Sequence, residues 1–234
     1  MSGLARLGEE GLEIARKERS DKGSIKITER DLSVLTFIGQ QYAVRADQLA
    51  RLLKRPAEGG LSESATRAVT ARWEKAGLAA SRKVIADEPR FVWLTRKGLD
   101  EVGLSFKPWT PTAASLAHIF WTNQVRIRTE DRHPAAAWRS ERELRKGRVM
   151  QSISSATNHE VDAEIHLPQG VVAVEVELTA KSVDRRRSIM SEVAGRYATV
   201  WYFAPRNVQA LLEETAAVVK RRERVRIYPL EEVA

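Results

Sequence analysis

Asp162 and Glu164 before Pro168-Gln169-Gly170, and Glu175 and Glu177 after it, recur at every second position. In two extended strands this spacing puts each pair of carboxylates on one face, with Val172, Val174, Val176 and Leu178 on the other. A turn at Gln169-Gly170, or the same register one residue wider on each side, sets Asp162 opposite Glu177 and Glu164 opposite Glu175. Three or four carboxylates sharing a face repel one another unless something cationic sits among them. A metal ion, a basic neighbour and water are the candidates. Mg²⁺ takes oxygen ligands, and two or three carboxylates with water can hold one or two such ions. A metal-bound or base-activated water would then attack a phosphodiester in line. The alternative is that alternating glutamates mark the solvent side of a half-buried sheet.

The rest of the chain narrows the chemistry. Cysteine is absent, which excludes disulfides, thiolate metal sites and a cysteine nucleophile. The histidines, His118, His133, His159 and His166, form no closely paired metal motif, which argues against a relaxase built on paired histidines and a tyrosine nucleophile. His159 is placed to orient Asp162 or meet a phosphate, or to serve as a hydrogen-bonded structural residue. A net charge of +8, from 39 basic and 31 acidic residues, favours a polyanionic partner, nucleic acid before an anionic membrane surface. No apolar run approaches a membrane span and no signal-peptide core opens the chain, so the expected location is cytoplasmic.

The elements that must position these residues divide the chain. Residues 1–27 carry mixed charge and scattered leucines, the pattern of a flexible arm. From there Thr28 caps a helix carrying Leu32, Leu35 and Ile38. Ala46-Asp47 open a second helix, and Ser62 starts a third with Ala65, Val69, Trp73 and Ala76 at helical spacing. Two alternating strands follow, Ala79 to Ile85 and Arg90 to Leu94, before Thr95 caps a short helix. Three helices and a hairpin over residues 28–103 make a winged helix-turn-helix. The run resembles its common bacterial form in Trp73-Glu74-Lys75-Ala76-Gly77-Leu78 and in Leu94-Thr95-Arg96-Lys97-Gly98. In such a domain the third helix enters the major groove and the wing reaches the backbone. Ser64, Thr66, Arg67 and Thr70 are then the candidate groove and phosphate contacts, with Arg82, Lys83 and Arg90 along the backbone path. A winged helix used for protein contacts is the other reading.

Residues 104–111, with Pro108, Trp109 and Pro111, break periodicity as a linker. Residues 112–234 read as a long helix to about Arg132, a strand from Ala137 to Leu144, the acidic hairpin, then helix, strand, helix and strand. The sum is an α/β (α+β) chain whose second part is a mixed sheet covered by helices on both sides. That order, with its acidic hairpin, resembles the restriction-endonuclease-like fold of PD-(D/E)xK nucleases. The resemblance implies Asp162, Glu175 and Glu177 as metal-binding and catalytic residues, with Glu177 standing where lysine is usual. Lys181 is the candidate substitute for that lysine, and Glu141 on the preceding strand an extra ligand. Over most of its length the chain also resembles the replication-relaxation proteins of plasmids and other mobile elements. Trp138 to Arg145, His159 to Asp162, Val174 to Ser182 and Tyr197 to Tyr202 carry that resemblance. It implies duplex DNA as partner and work in replication, transfer or their control, with Mg²⁺ needed if the second part is catalytic. A homodimer is expected, because winged helices often read palindromes in pairs.

Overall fold

The computed structural model describes residues 26–55, 57, 59–150 and 159–233. The arm expected over residues 1–27 lies, apart from its last two residues, outside them. The described chain is a mixed α+β structure of eight α-helices and two sheets, one of three strands and one of five.

The first half is set by its caps. Helix α1 (Glu29–Gln40) begins in a capping box: Thr28 Oγ1 accepts from the Asp31 amide at 3.2 Å, and Asp31 Oδ2 accepts from the Thr28 amide at 2.9 Å. Strand β1 (Ala43–Arg45) leads into α2 (Ala46–Lys54). Ser62 then caps α3 (Glu63–Lys75), accepting from the Ala65 amide. Helix α3 ends in a Schellman motif, in which the Leu78 amide donates to Trp73 O and that of Gly77 to Glu74 O. Gly77 takes φ 72° there, the left-handed conformation that favours glycine. Strands β2 (Ala79–Arg82) and β3 (Phe91–Leu94) are shorter than expected, and α4 (Arg96–Glu101) follows the Thr95 cap. The sheet is antiparallel in the order β1-β3-β2, with Leu35, Ile38, Leu49, Leu53, Trp73 and Leu99 buried in the core that it covers.

The second half opens on α5 (Ala113–Arg132) and β4 (Ala137–Ser140). The strand expected to run on to Leu144 stops at Ser140, and α6 (Glu141–Met150) begins. The cause is local. Glu143 Oε2 accepts from both the amide and the hydroxyl of Ser140, each at 2.8 Å, a cap that turns the chain into a helix. There follow β5 (Ala163–Leu167), β6 (Gly170–Val176), α7 (Val183–Arg196), β7 (Thr199–Ala204), α8 (Arg206–Val218) and β8 (Val225–Pro229). The sheet order is β4-β5-β6-β7-β8, antiparallel across the first two pairings and parallel across the last two.

Both faces of this sheet are covered. Val172, Val174 and Val176 join Val125 of α5 on one side, while Ala173, Val200 and Tyr202 meet Ile189 and Val193 of α7 and Leu212 of α8 on the other. Helix α5 also sends Ile127 into the core of the first half and Leu116 and Ile119 against Ala43 and Phe91. The halves are therefore joined along α5. Polar bonds fix that seam: Asn123 Nδ2 donates to Ala43 O at 2.9 Å, Arg55 Nη2 to Ile127 O at 2.8 Å and Arg142 Nη1 to Gly39 O at 2.6 Å.

Candidate functional site

The hairpin register differs from expectation by two residues. Leu167 faces Gly170, so Pro168-Gln169 is the loop, and Glu164 lies opposite Ala173 instead of Glu175. Proline lacks an amide to give to a strand ladder, which places Pro168 in the turn. A two-residue slip keeps every side chain on its face. The ladder carried one step further brings Asp162 beside Glu175, and the Val176 amide donates to Asp162 Oδ2 at 2.7 Å.

These carboxylates are not on a solvated face. Glu175 and Glu177 are buried and Asp162 is half-buried. Each is met by a basic side chain. His118 Nε2 of α5 lies 2.9 Å from Asp162 Oδ1, and His159 Nε2 lies 2.6 Å from Glu175 Oε1. Lys181 Nζ pairs with Glu177 Oε2. Of the three candidates for the compensating cation, the structure supplies basic neighbours. His159 thus serves Glu175 and not Asp162, which takes its histidine from a helix in the preceding segment. Glu164 belongs to a separate group, accepting from Tyr197 Oη at 2.8 Å and lying beside His166 and Arg139. Glu141, expected on a strand, is the first residue of α6. It accepts from Tyr42 Oη at 3.1 Å and pairs with Arg145 at 2.5 Å.

Burial and charge shift these groups strongly. Burial pushes the Glu175 carboxyl up to about 7; the His159 hydrogen bond opposes the rise and the neighbouring Asp162 charge adds to it. The Glu175 hydrogen bond raises His159 against its own burial. Burial works against protonation of His118 too. The Asp162 carboxylate, with Glu141 and Glu175 behind it, outweighs that and brings it to about 9. Tyr202, laddered beside Glu175, is raised well above the phenol range by burial and by the charges of Glu175, Glu177 and Asp162. Its hydroxyl is buried and finds no hydrogen-bond partner among the described residues.

Lys181 is held in place from behind. Arg186, in the arginine run after Ser182, is buried, donating from Nη1 to Lys181 O at 2.5 Å and from Nε to Thr215 Oγ1 of α8 at 3.2 Å. Its neighbours Arg185 and Arg187 are exposed. The oxygen donors of Asp162, Glu175 and Glu177 are of the kind Mg²⁺ takes. Among the described residues, though, no group of three or more histidine, aspartate or glutamate side chains is set to hold a metal ion. In this arrangement an entering divalent ion must displace Lys181 and loosen both histidines, so the residues as placed do not fit it.

On α3 the exposed positions include Ser64 and Arg67, and Arg67 is paired with Glu63 one turn earlier at 2.5 Å. Thr66 and Thr70, expected on the outer face, turn inward. Their hydroxyls donate to Ser62 O at 2.9 Å and Thr66 O at 3.0 Å. Thr66, Thr70 and Trp73 share the i, i+4, i+7 spacing of one helix face, so Trp73 takes both threonines into the core with it. Arg82, Lys83 and Arg90 are exposed around the β2–β3 connection.

The site contains residues that the sequence did not mark. His118 flanks the apolar stripe of a long helix, and its partner Asp162 lies 44 residues on. Tyr202 reads as a core aromatic, and only its laddering beside Glu175 turns it toward the acids. Tyr42, in the corner between α1 and β1, takes φ 72°, a conformation that tyrosine rarely adopts. Comparison with protein-family models, curated proteins and solved structures finds no match to this chain.

Proposed function

We propose that this is a DNA-binding protein of a plasmid or other mobile element. In this reading residues 28–103 act as a winged helix on duplex DNA, and residues 112–234 form a restriction-endonuclease-like unit. The observation that carries it is the order α1-β1-α2-α3-β2-β3, with Ser64 and Arg67 outward on α3 and Arg82, Lys83 and Arg90 outward at the hairpin. A helix against the groove and a basic hairpin against the backbone is how such a unit docks. Chain charge of +8 agrees with that partner. The place in replication, transfer or their control comes from the resemblance carried by Trp138 to Arg145, His159 to Asp162, Val174 to Ser182 and Tyr197 to Tyr202. The expected homodimer comes from winged helices reading palindromes in pairs. Thr66 and Thr70 drop out of the contact set, since their hydroxyls are used within the helix.

Salt-dependent binding to duplex DNA tests this reading. Each phosphate contact removed should reduce the slope of log K against log salt by about 0.9. Replacing Arg82, Lys83 and Arg90 together with alanine should therefore flatten the slope by roughly two to three. Absence of duplex binding even at low salt overturns the reading.

One observation favours a second reading, phosphodiester hydrolysis by the acidic hairpin, although a divalent ion would enter there only by displacing Lys181 from Glu177. The Lys181 ammonium reaches Glu177, and its charge also bears on Glu175. That puts a lysine among the carboxylates although position 177 is glutamate. The same DNA incubated with Mg²⁺ or Mn²⁺, with Glu175→Ala in parallel, separates the two. Cleavage abolished by the substitution makes the chain a nuclease. Binding without cleavage leaves a DNA-binding regulator.

A further inference from the structure

A cleft of about 640 Å³ opens where the two halves meet, next to the acidic hairpin but built from other residues. Its volume falls in the range of roughly 300–1,000 Å³ that holds small organic ligands. The aromatic wall is made by Tyr42, Phe106 and Trp109. Tyr42 and Trp109 have ring centroids 5.4 Å apart at 56°, so they line the cleft as adjoining panels and not as one closed stack. Trp109 stays half-buried.

Charge in the cleft is one-sided. Lys107, Arg142 and Arg145 stand against the single carboxylate of Glu141. Arg142 is a pillar more than a ligand group: its guanidinium lies 4.6 Å from the centroids of both Tyr42 and Phe106, and it donates to Gly39 O and Lys107 O. Lys107 is exposed and has no ion-pair partner among the described residues. Arg145 keeps 64% of its side chain exposed and, among the described residues, pairs with Glu141 one turn away. Lys107 is thus free to turn toward an anion and Arg145 reaches one by exchanging its exposed pair with Glu141, while Arg142 fixes the aromatic panels.

The corner that aims Tyr42 is costly. A non-glycine residue at φ 72° is strained, and the conformation persists where its surroundings hold it. Here the bond to Glu141 and the contacts with Trp109 and Arg142 hold it with the ring in the cleft wall. Pro108 and Pro111 on either side of Trp109 restrict the backbone that carries the other panel.

We propose that this cleft binds a nucleotide, its base against Tyr42 and Trp109 and its phosphate between Lys107 and Arg145. Aromatic panels beside exposed cations form the combination that takes unpaired nucleotides with little regard to sequence. His118 lines the same cleft and touches Asp162, so the bound nucleotide lies beside the acidic hairpin. The source is either a base from an opened DNA strand or a free mononucleotide. The strand version rests on the DNA-binding reading above; the mononucleotide version does not.

The test measures binding of the full chain to a labelled oligo-dT, to a mononucleotide (dTMP), to inorganic phosphate and to duplex DNA. Oligo-dT or dTMP should bind, inorganic phosphate much more weakly. Trp109→Ala should weaken oligo-dT and dTMP by roughly 5- to 150-fold, the range expected for loss of one stacked base. Lys107→Ala, at an exposed position, should weaken both and flatten the salt dependence for oligo-dT, and it keeps the test open if Trp109→Ala misfolds. Duplex affinity, assigned above to the hairpin, is the control. Binding of dTMP without duplex binding keeps the cleft and overturns the winged-helix reading. Duplex binding with neither oligo-dT nor dTMP bound overturns the cleft alone. Equal loss in Trp109→Ala for duplex and single strand makes the tryptophan structural and also overturns the proposal.

Discussion

Glu175→Gln separates the charge of this buried residue from its shape. Glutamine keeps the length of the side chain and an oxygen that can accept from His159, so the bond now 2.6 Å long survives while the ionisation is lost. In the native chain burial raises the Glu175 carboxyl from an ordinary 4.5 to about 7. Between those values the folded state holds a proton that the unfolded state has released. Stability is then fully present below about pH 4.5 and falls as pH rises through 7, at roughly 1.4 kcal/mol per pH unit. The span corresponds to about 3 kcal/mol as an upper bound. Asp31 moves the other way, since its Thr28 bonds and Arg72 pair outweigh burial and lower it, but it acts only in acid, below 3.8. The interval from pH 5 to 8 is therefore free of it. His118, raised to about 9, takes stability from parent and variant alike as pH rises above 6.5, so the difference between the two profiles carries the result.

Urea unfolding followed by tryptophan fluorescence, at pH 5, 6, 7 and 8 in the presence of a chelator, measures the effect. The parent should lose stability across the interval, and Glu175→Gln should lose distinctly less. The two should nearly coincide at pH 5, and the variant should be the more stable at pH 8 by about 1–3 kcal/mol. Parallel pH profiles, or a variant less stable at pH 8, would show that His159 and Lys181 compensate the carboxylate completely, and the reasoning from burial would fail. A gain at pH 8 carries a functional implication as well. A buried acid that lowers stability at working pH is kept for what it does, not for what it holds together.

Two further outcomes follow from the geometry. His118 should stay protonated in an NMR titration up to about pH 9, and Asp162→Asn should bring it down toward its ordinary 6.5, because burial then meets only the weaker pull of Glu141 and Glu175. An unchanged titration would remove Asp162 as its partner. Gly98→Ala should destabilise the chain by about 1–3 kcal/mol or more in chemical unfolding. The added Cβ would stand 1.9 Å from the Leu78 carbonyl oxygen, which is backbone and cannot turn aside. A neutral result there would mean that α4 is free to lift off the sheet.

The parts of the fold legible in the sequence are those whose signals are local. Thr28, Ser62 and Thr95 each accept from an amide three residues on, so three helix starts could be read from a few residues. Gly77 and Gly98 in the two short motifs have plain causes, a left-handed helix end and a close approach to Leu78. Helix α6 was equally local but was hidden: Ser140 and Glu143 make its cap, while Trp138 to Leu144 can be taken for a continuing strand. Strand β1 is only three residues long and exists because β3, far along the chain, pairs with it. In the site, the acidic residues could be named from spacing and Lys181 from the resemblance to PD-(D/E)xK nucleases, but not which base serves which acid. Lys181 is four residues from Glu177, His159 is 16 from Glu175 and His118 is 44 from Asp162. Legibility falls along that series because pairing at greater separation is decided by the topology of the sheet.

The seam between the halves bears on how a DNA contact could reach the acidic hairpin. Asn123, Arg55 and Arg142 donate across it to backbone carbonyls. Arg51 and Arg55 of the first half meet Asp131 and Glu130 of α5. Parting the halves would exchange these bonds for water at roughly 0.5–1.5 kcal/mol each and would expose Ile127, Leu116 and Ile119, which the seam now buries. A hinge built on such a surface would be expensive, and relative rotation of two rigid units is a poor model for this chain. A shorter route runs through the α1–β1 corner. Tyr42 bonds Glu141 there, and Glu141 contributes to holding His118 charged beside Asp162. A ligand that turned Tyr42 out of its strained conformation would release Glu141 and alter His118 without moving either sheet. Coupling in this protein is therefore expected from side chains lining the cleft, not from domain motion.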